Sequence, residues 1–108
     1  MFLFQATVRA HPDHGDDLAA VLAPLAEASR SDPGCLEFRV SRDIEDPTIF
    51  RTFELWETVE DEAAHGQSPH ELEARRLARE GGFAVAGEMS VYRVEPLKTA
   101  TAGGGETE

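Results

Sequence analysis

One tryptophan and one histidine near the middle of the chain are suited to acid–base chemistry on an aromatic substrate. Trp56 ends the segment TIFRTFELW, and His65 follows nine positions later. An indole ring can stack on an aromatic ligand, and an imidazole, whose ordinary pKa is near neutrality, can accept a proton from a ligand. Trp56 is therefore a candidate for the residue that holds the substrate, and His65 is a candidate for the base. Core packing of Trp56 and a solvent-exposed His65 are the alternatives.

Other polar residues could assist such a base. Glu54 could serve as a second base if burial raises its pKa, or it could pair with an arginine across the sheet. Gln5 and Tyr92 could donate hydrogen bonds to an oxyanion. His70 lies in the first turn of a predicted helix, where the helix dipole disfavours the imidazolium form, and a structural role at the helix start is favoured there.

The candidate residues divide into two sets by their expected role. The predicted catalytic residues are Gln5, Trp56, His65 and Tyr92. The predicted substrate-binding residues are Thr7, Thr52, Glu54, Trp56 and His70.

These residues need strands and helices to position them, and the hydropathy pattern supplies both. Alternation of apolar and polar residues predicts strands over residues 2–10, 35–43, 48–57 and 86–97. Helical spacing begins at Leu18, after Asp13 as the predicted N-cap, and the Pro-Gly turn of SDPG ends this helix. Thr58 and Ser68 are the predicted caps of two later helical stretches, and Gly81 with Gly82 ends the second of them.

This order predicts an α+β fold of the ferredoxin-like βαββαβ type, with a four-stranded antiparallel sheet and helices on one face. The domain is expected over residues 1–97, and residues 98–108 are expected to be a disordered tail.

The face of the sheet away from the helices is expected to carry several of the candidate residues. They are Gln5, Thr7, Thr52, Glu54, Trp56 and Tyr92. Such a face is too apolar to remain in water, so we expect a homodimer in which two sheets pack face to face. A monomer with this face solvated is the alternative.

Composition narrows the possible partners. The formal net charge is −11 over 108 residues. This charge argues against binding to nucleic acid and to anionic membranes. The single cysteine, Cys35, excludes an internal disulfide, and the N-terminus does not resemble a signal peptide, so a cytoplasmic location is expected.

The sequence motifs predict no cofactor and no metal site. The chain has no dinucleotide-binding glycine motif, no P-loop and no zinc-type spacing of cysteine and histidine. His11 and His14 share a loop with Asp13 and Asp16, but they do not form a complete ligand set.

Several short motifs, taken in order, resemble the antibiotic biosynthesis monooxygenase (ABM) domain over roughly residues 2–96. They are Pro33-Gly34-Cys35, Asp46-Pro47, Glu54-Leu55-Trp56, His65 and Ser68-Pro69-His70. The resemblance implies a dimeric α+β barrel. It also implies oxidation of a hydroxylated aromatic or a quinol by O2 without a cofactor.

The resemblance leaves alternatives open. A related branch of the superfamily binds and degrades haem, for which His65 or His70 would be the axial ligand. A non-enzymatic dimer that binds a small ligand is the third hypothesis. The sequence departs from the family pattern where Gln5, Thr7 and Thr52 stand in place of a pocket asparagine, and where Glu71 follows His70 directly.

Overall fold

The chain folds into four strands and three helices, as seen in a computed structural model. The structure describes residues 1–98 and 100, and only the backbone of residues 85 and 86. The elements are β1 (Phe2–Ala10), α1 (Gly15–Ser29), β2 (Cys35–Arg42), β3 (Ile49–Trp56), α2 (Val59–His65), α3 (Pro69–Gly81) and β4 (Ala84–Arg93). This order confirms the predicted α+β ferredoxin-like fold. Most of the predicted tail, residue 99 and residues 101–108, lies outside the described residues.

The strands form one antiparallel sheet in the order β2-β3-β1-β4. The short link between β2 and β3 makes the predicted hairpin. In the register of the central pair, Phe4 is opposite Glu54 and Ala6 is opposite Thr52. Directly opposed residues of an antiparallel pair project on the same face of the sheet.

The helices cover one face of this sheet and bury two apolar clusters against it. One cluster joins α1 to Phe50 of β3 and Ala74 of α3. The other consists of Phe4, Ala26, Phe38 and Trp56, and the indole of Trp56 has no exposed surface. The side of β1 that carries Phe2, Phe4, Ala6 and Val8 therefore faces the helices, as its hydropathy predicts.

The predicted placement of Thr52, Glu54 and Trp56 on the face away from the helices is wrong. All three are buried on the helix side, because the β1–β3 register aligns them with Phe2, Phe4 and Ala6. Alternation groups Thr52, Glu54 and Trp56 on one face of β3, but it does not tell which face of β1 they meet. Burial of Trp56 and hydrogen bonding of Glu54 account for the opposite outcome.

The face away from the helices still carries apolar side chains. Leu3 lies between Leu55 and Tyr92 in the sheet, and Phe53 follows one row further along. Leu3, Phe53 and Leu55 are partly exposed, and Tyr92 is exposed. We call these four residues the open-face patch.

No helix in the described part of the chain is both long enough and apolar enough to cross a membrane.

The helix starts of the second half follow the predicted capping signals. The Thr58 hydroxyl accepts a hydrogen bond from the Asp61 amide, and the Ser68 hydroxyl accepts one from the Glu71 amide. Gly82 ends α3 in the left-handed conformation, with φ of 64°. Asp13 is not a cap, because its own φ of 72° places it in the turn that precedes α1.

Replacing Ser68 by alanine should destabilise the fold, because the Glu71 amide loses its hydrogen-bond acceptor at the start of α3. We expect Ser68→Ala to lower the free energy of unfolding by about 1 kcal/mol. Urea denaturation followed by circular dichroism measures this change. Ser31→Ala, at an exposed serine in the turn after α1, is the control; an equal loss in both variants would contradict the capping role.

Candidate functional site

Two histidines and one aspartate from separate elements meet at one end of the helical layer. A single carboxylate oxygen, Oδ2 of Asp32, lies 2.8 Å from Nδ1 of His65 and 2.8 Å from Nε2 of His70. The His65 side chain is 2% exposed, that of Asp32 14% and that of His70 25%. The three residues thus form a largely buried cluster, which we call the Asp32 cluster.

The local backbone explains why these three residues meet. Asp32 lies in the turn after α1, where its amide donates to the Ser29 carbonyl and its carbonyl accepts from the Cys35 amide. His65 is the last residue of α2, and His70 is the second residue of α3. In one continuous helix, residues five apart would point about 140° from each other. The break between α2 and α3, closed by a hydrogen bond from the Ser68 amide to the His65 carbonyl, brings both rings onto Asp32.

The second ring nitrogen of His65 faces another carboxylate. Nε2 of His65 lies 3.2 Å from Oε1 of Glu71, and Oε2 of Glu71 lies 3.4 Å from Nε of Arg75. Nε2 is buried, and its approach to Glu71 is too poorly aligned to count as a hydrogen bond. His65 is therefore held between two carboxylates, one well aligned and one not.

A second polar group is buried beside the Asp32 cluster, on β3. The Trp56 indole Nε1–H donates to Oε1 of Glu54 at 3.1 Å, and the Thr52 hydroxyl donates to Oε2 at 3.2 Å. Both oxygens of the Glu54 carboxylate, which is 5% exposed, are thus satisfied by neighbours on its own strand. This explains how a glutamate persists between Phe4 and Phe38 in the sheet.

Aromatic rings surround the His65 imidazole. The ring centroids of Trp56 and Phe38 lie 5.0 Å and 5.3 Å from that of His65, and the His70 centroid lies 5.8 Å away. Trp56 therefore packs against the predicted base. Because its indole is fully buried, its contacts in this structure are with the protein core.

The pKa values reflect these surroundings. Burial of the His65 ring opposes its protonation, yet the carboxylates of Glu71 and Asp32 outweigh burial and raise the pKa of His65 above its usual value. Burial likewise opposes ionisation of Asp32, but hydrogen bonds from both imidazoles hold the pKa of this carboxyl below its usual value. For Glu54, burial dominates over the Trp56 hydrogen bond and raises its pKa.

A small cavity reaches the Asp32 cluster. It has a volume of about 170 Å³ and is lined by Asp32, Pro33, Asp61, Ala64, His65 and Ser68. A cavity of about 150 Å³ is known to accept a benzene ring. The cavity is thus large enough for one aromatic ring, and it presents a histidine and an aspartate to that ring.

The structure separates the predicted site residues into two groups. It brings Thr52, Glu54, Trp56, His65 and His70 together on the helix side of the sheet. Gln5, Thr7 and Tyr92 lie on the other face, in register with Phe53, Arg51 and Leu3. Within one chain, the two groups cannot contact the same small ligand, because the sheet lies between them.

Sequence reasoning missed Asp32 and Glu71 as members of the site. Asp32 is part of SDPG, which indicates a turn, and Glu71 fits a capping box with Ser68. Each motif has a local structural explanation, so neither suggested a contact with a histidine. The one available signal was that Glu71 directly follows His70 at the start of a helix.

Comparison with known proteins shows the family of the chain. The family model for antibiotic biosynthesis monooxygenases matches residues 1–77. The chain belongs to the ABM family. A comparison with curated protein sequences gives no significant match.

Solved structures support the fold of this ABM protein. An antibiotic biosynthesis monooxygenase candidate from Deinococcus radiodurans is 22% identical, with a TM-score of 0.82 over 94% of this chain and 100% of its own. A protein from Pseudomonas aeruginosa is 25% identical, with a TM-score of 0.80 over 87% of this chain and 94% of its own. A further candidate from Chloroflexus aurantiacus is 27% identical, with a TM-score of 0.75 over 94% and 98%.

The raised pKa of Glu54 predicts a pH-dependent effect of Glu54→Gln on stability. A buried carboxyl with a raised pKa binds its proton more tightly in the folded chain than in the unfolded chain. It therefore costs stability as the pH rises above the usual value of 4.5. We expect wild type to lose stability relative to Glu54→Gln between pH 4 and pH 8.

Urea unfolding of both proteins at the two pH values measures this difference, and pH-independent packing effects cancel in the comparison. Glu57→Gln, at an exposed glutamate just after β3, is the matched control and should show no such trend. A difference that is constant with pH, or that has the opposite sign, would contradict the assigned shift.

Proposed function

We propose that this ABM protein is an oxygenase that uses O2 to oxidise a small hydroxylated aromatic or a quinol, without an organic cofactor. Family membership supports the monooxygenase-like chemistry. The single observation that carries the proposal is the Asp32 cluster at the wall of a cavity that is large enough for one aromatic ring.

The proposed substrate lies in this cavity with its phenolic oxygen near the Asp32 cluster. Pro33 and Ala64 offer apolar contacts to the ring. The Ser68 hydroxyl, which already accepts from the Glu71 amide, keeps its own O–H free to donate to a substrate oxygen. Ser68 thus takes the role that the sequence assigned to Gln5 or Tyr92, which lie beyond the sheet.

The proposed base is His65. An imidazole that accepts a proton becomes an imidazolium, and Asp32 and Glu71 stabilise this cation from its two sides. Trp56 and Phe38 hold the ring between them and keep water away from it. In this proposal Trp56 positions the base, and the substrate ring itself contacts the cavity walls.

The proposed reaction balances without a further oxidant. The phenolic O–H bond breaks; because both ring nitrogens of His65 face carboxylates, the proton reaches His65 through Asp32, which also lines the cavity. The substrate anion transfers one electron to O2, and the two radicals then join in a carbon–oxygen bond to give a peroxide. The peroxide O–O bond breaks; one oxygen stays on the ring and the other leaves as water with two hydrogens from the substrate. A hydroquinone would thus yield a hydroxyquinone.

The haem alternative does not fit this site. A porphyrin contains four pyrrole rings, and the cavity of about 170 Å³ has room for one ring. His65, one of the two candidate axial ligands, is 2% exposed, so a porphyrin has no access to its ring. The residues present therefore match a single-ring substrate better than haem.

We further propose that the chain forms a homodimer through the open-face patch. Its four residues, Leu3, Phe53, Leu55 and Tyr92, are contiguous in the sheet. An apolar patch on an antiparallel sheet is energetically unfavourable in water, and a second copy would cover it. This leaves the helix side of each chain, and the cavity on it, accessible.

Oxygen consumption with single-ring hydroquinones tests the proposed activity. We expect uptake by wild type, and a loss of 10²-fold or more in kcat/KM for His65→Gln, because a positioned base contributes roughly that factor. Labelled O2 should place one oxygen atom in the product. Binding without uptake would contradict the proposal and favour the ligand-binding hypothesis.

A matched pair of alanines tests the location of the substrate. Ala63 and Ala64 are both exposed, but only Ala64 lines the cavity. Ala64→Leu should fill the cavity and raise KM at least tenfold, whereas Ala63→Leu should leave the kinetics unchanged. Equal effects of the two changes would place the substrate elsewhere.

Charge placed in the open-face patch should dissociate the proposed dimer. We expect wild type to have the mass of two chains in light scattering, and Leu55→Lys to have the mass of one. Leu72→Lys, at an exposed leucine of α3, is the control and should remain dimeric. A wild type that is monomeric at working concentration would contradict the dimer.

A further inference from the structure

We propose that Asp32, His65 and His70 bind one first-row divalent transition-metal ion, for which Zn²⁺ is the probe. Their ligand atoms all lie within 4.8 Å of one another. Two imidazole nitrogens and one carboxylate oxygen are a donor set typical of zinc and of its first-row neighbours, whereas Mg²⁺ and Ca²⁺ prefer oxygen ligands alone. The proposal differs from the expectation of no metal site, which rested on sequence spacing.

The placement of protons around His65 is the first argument for a cation. A neutral imidazole carries one N–H, yet both ring nitrogens of His65 face carboxylate oxygens, of Asp32 and of Glu71. One nitrogen of a neutral ring would therefore direct a lone pair at a carboxylate. Protonation of the ring removes this repulsion, and so does a metal ion between Nδ1 and Asp32, which leaves the Nε2–H to face Glu71.

The surroundings of His65 match the outer shell of a metal site. A histidine ligand commonly directs its other N–H at a carboxylate, which fixes the ring orientation. Glu71 is in that position at 3.2 Å, and Arg75 in turn lies 3.4 Å from the second Glu71 oxygen. The buried Nε2 has no well-aligned hydrogen-bond partner. A small rotation of the imidazole ring would allow its N–H to donate to Glu71.

The ligands can adopt metal-binding distances with small movements. Metal–ligand bonds of about 2.1 Å at tetrahedral angles separate the ligand atoms by roughly 3.4 Å. Asp32 Oδ2 now lies 2.8 Å from each histidine nitrogen, so these atoms would move apart by about half an ångström. Asp32 and His70 are partly exposed and belong to a turn and to a helix start, which leaves room for that adjustment.

The cavity beside the cluster supplies the remaining coordination positions. It is lined by both Asp32 and His65, and its volume of about 170 Å³ has room for water molecules as further ligands. The ion and the proposed substrate would both use Asp32 and His65. Zn²⁺ is therefore expected to inhibit the oxidation proposed above, although metal binding itself does not depend on that function.

Titration of the metal-free full-length chain with ZnCl₂ tests the site. The protein is dialysed against EDTA and then into chelator-free buffer, and calorimetry gives the stoichiometry and Kd. We expect one ion per chain, an affinity at least about tenfold weaker for His70→Ala, and unchanged affinity for His14→Ala. His14 is a matched control because its ring lies 2.8 Å from Asp17 on the surface.

Thermal unfolding and Co²⁺ absorption give two further readouts that do not involve activity. Zn²⁺ should raise the Tm of wild type and of His14→Ala, and it should not raise that of Asp32→Asn or His70→Ala. Co²⁺ bound by wild type should show the stronger visible absorption of a four- or five-coordinate site. Absence of Zn²⁺ binding by wild type, equal binding by His70→Ala, or loss of binding in His14→Ala would each overturn the proposal.

Discussion

A single carboxylate oxygen shared by two imidazoles is the interaction on which the rest of the site depends. A partly buried aspartate is costly unless its charge is compensated, and Oδ2 of Asp32 is compensated by His65 and His70 at 2.8 Å each. Because both histidines must reach this oxygen, three parts of the chain are fixed relative to one another: the turn after α1, the end of α2 and the start of α3. Removal of either histidine would leave Oδ2 of Asp32 with one of its two partners. Because the break between α2 and α3 brings both histidines to Asp32, this break is part of the site.

The register of β1 and β3 is the second constraint, because it determines which residues lie on each face of the sheet. Glu54 and Trp56 lie under the helices, where the indole packs against His65 and hydrogen-bonds the carboxylate. Phe53 and Leu55 alternate with them and consequently form the apolar face opposite. In the proposed arrangement β3 therefore supports the base on one side and the subunit contact on the other. The sheet separates the proposed active site from the proposed dimer interface.

Local sequence signals predict most of the fold, since caps, turns and alternation are short-range effects. The caps at Thr58 and Ser68, the end of α3 at Gly82 and the β2–β3 hairpin are all confirmed. Alternation tells which residues of one strand share a face, but it does not tell which face of the next strand they meet. Assigning Trp56 to the open face failed for that reason. The Asp32 cluster joins residues 33 and 38 positions apart, and neither SDPG nor the capping box at Ser68 carries that information.

The four histidines of the chain allow one direct test of the central claim, that the Asp32 cluster is where the substrate and the protein exchange a proton. Two of them belong to the cluster, and His11 and His14 belong to the loop before α1. Nitrogen NMR of ring-labelled histidines, recorded anaerobically with and without a single-ring hydroquinone, reports the protonation of each ring. The account predicts that the His65 and His70 signals change on addition of the hydroquinone and that those of His11 and His14 do not. Unchanged His65 and His70 signals in the presence of bound hydroquinone would contradict it.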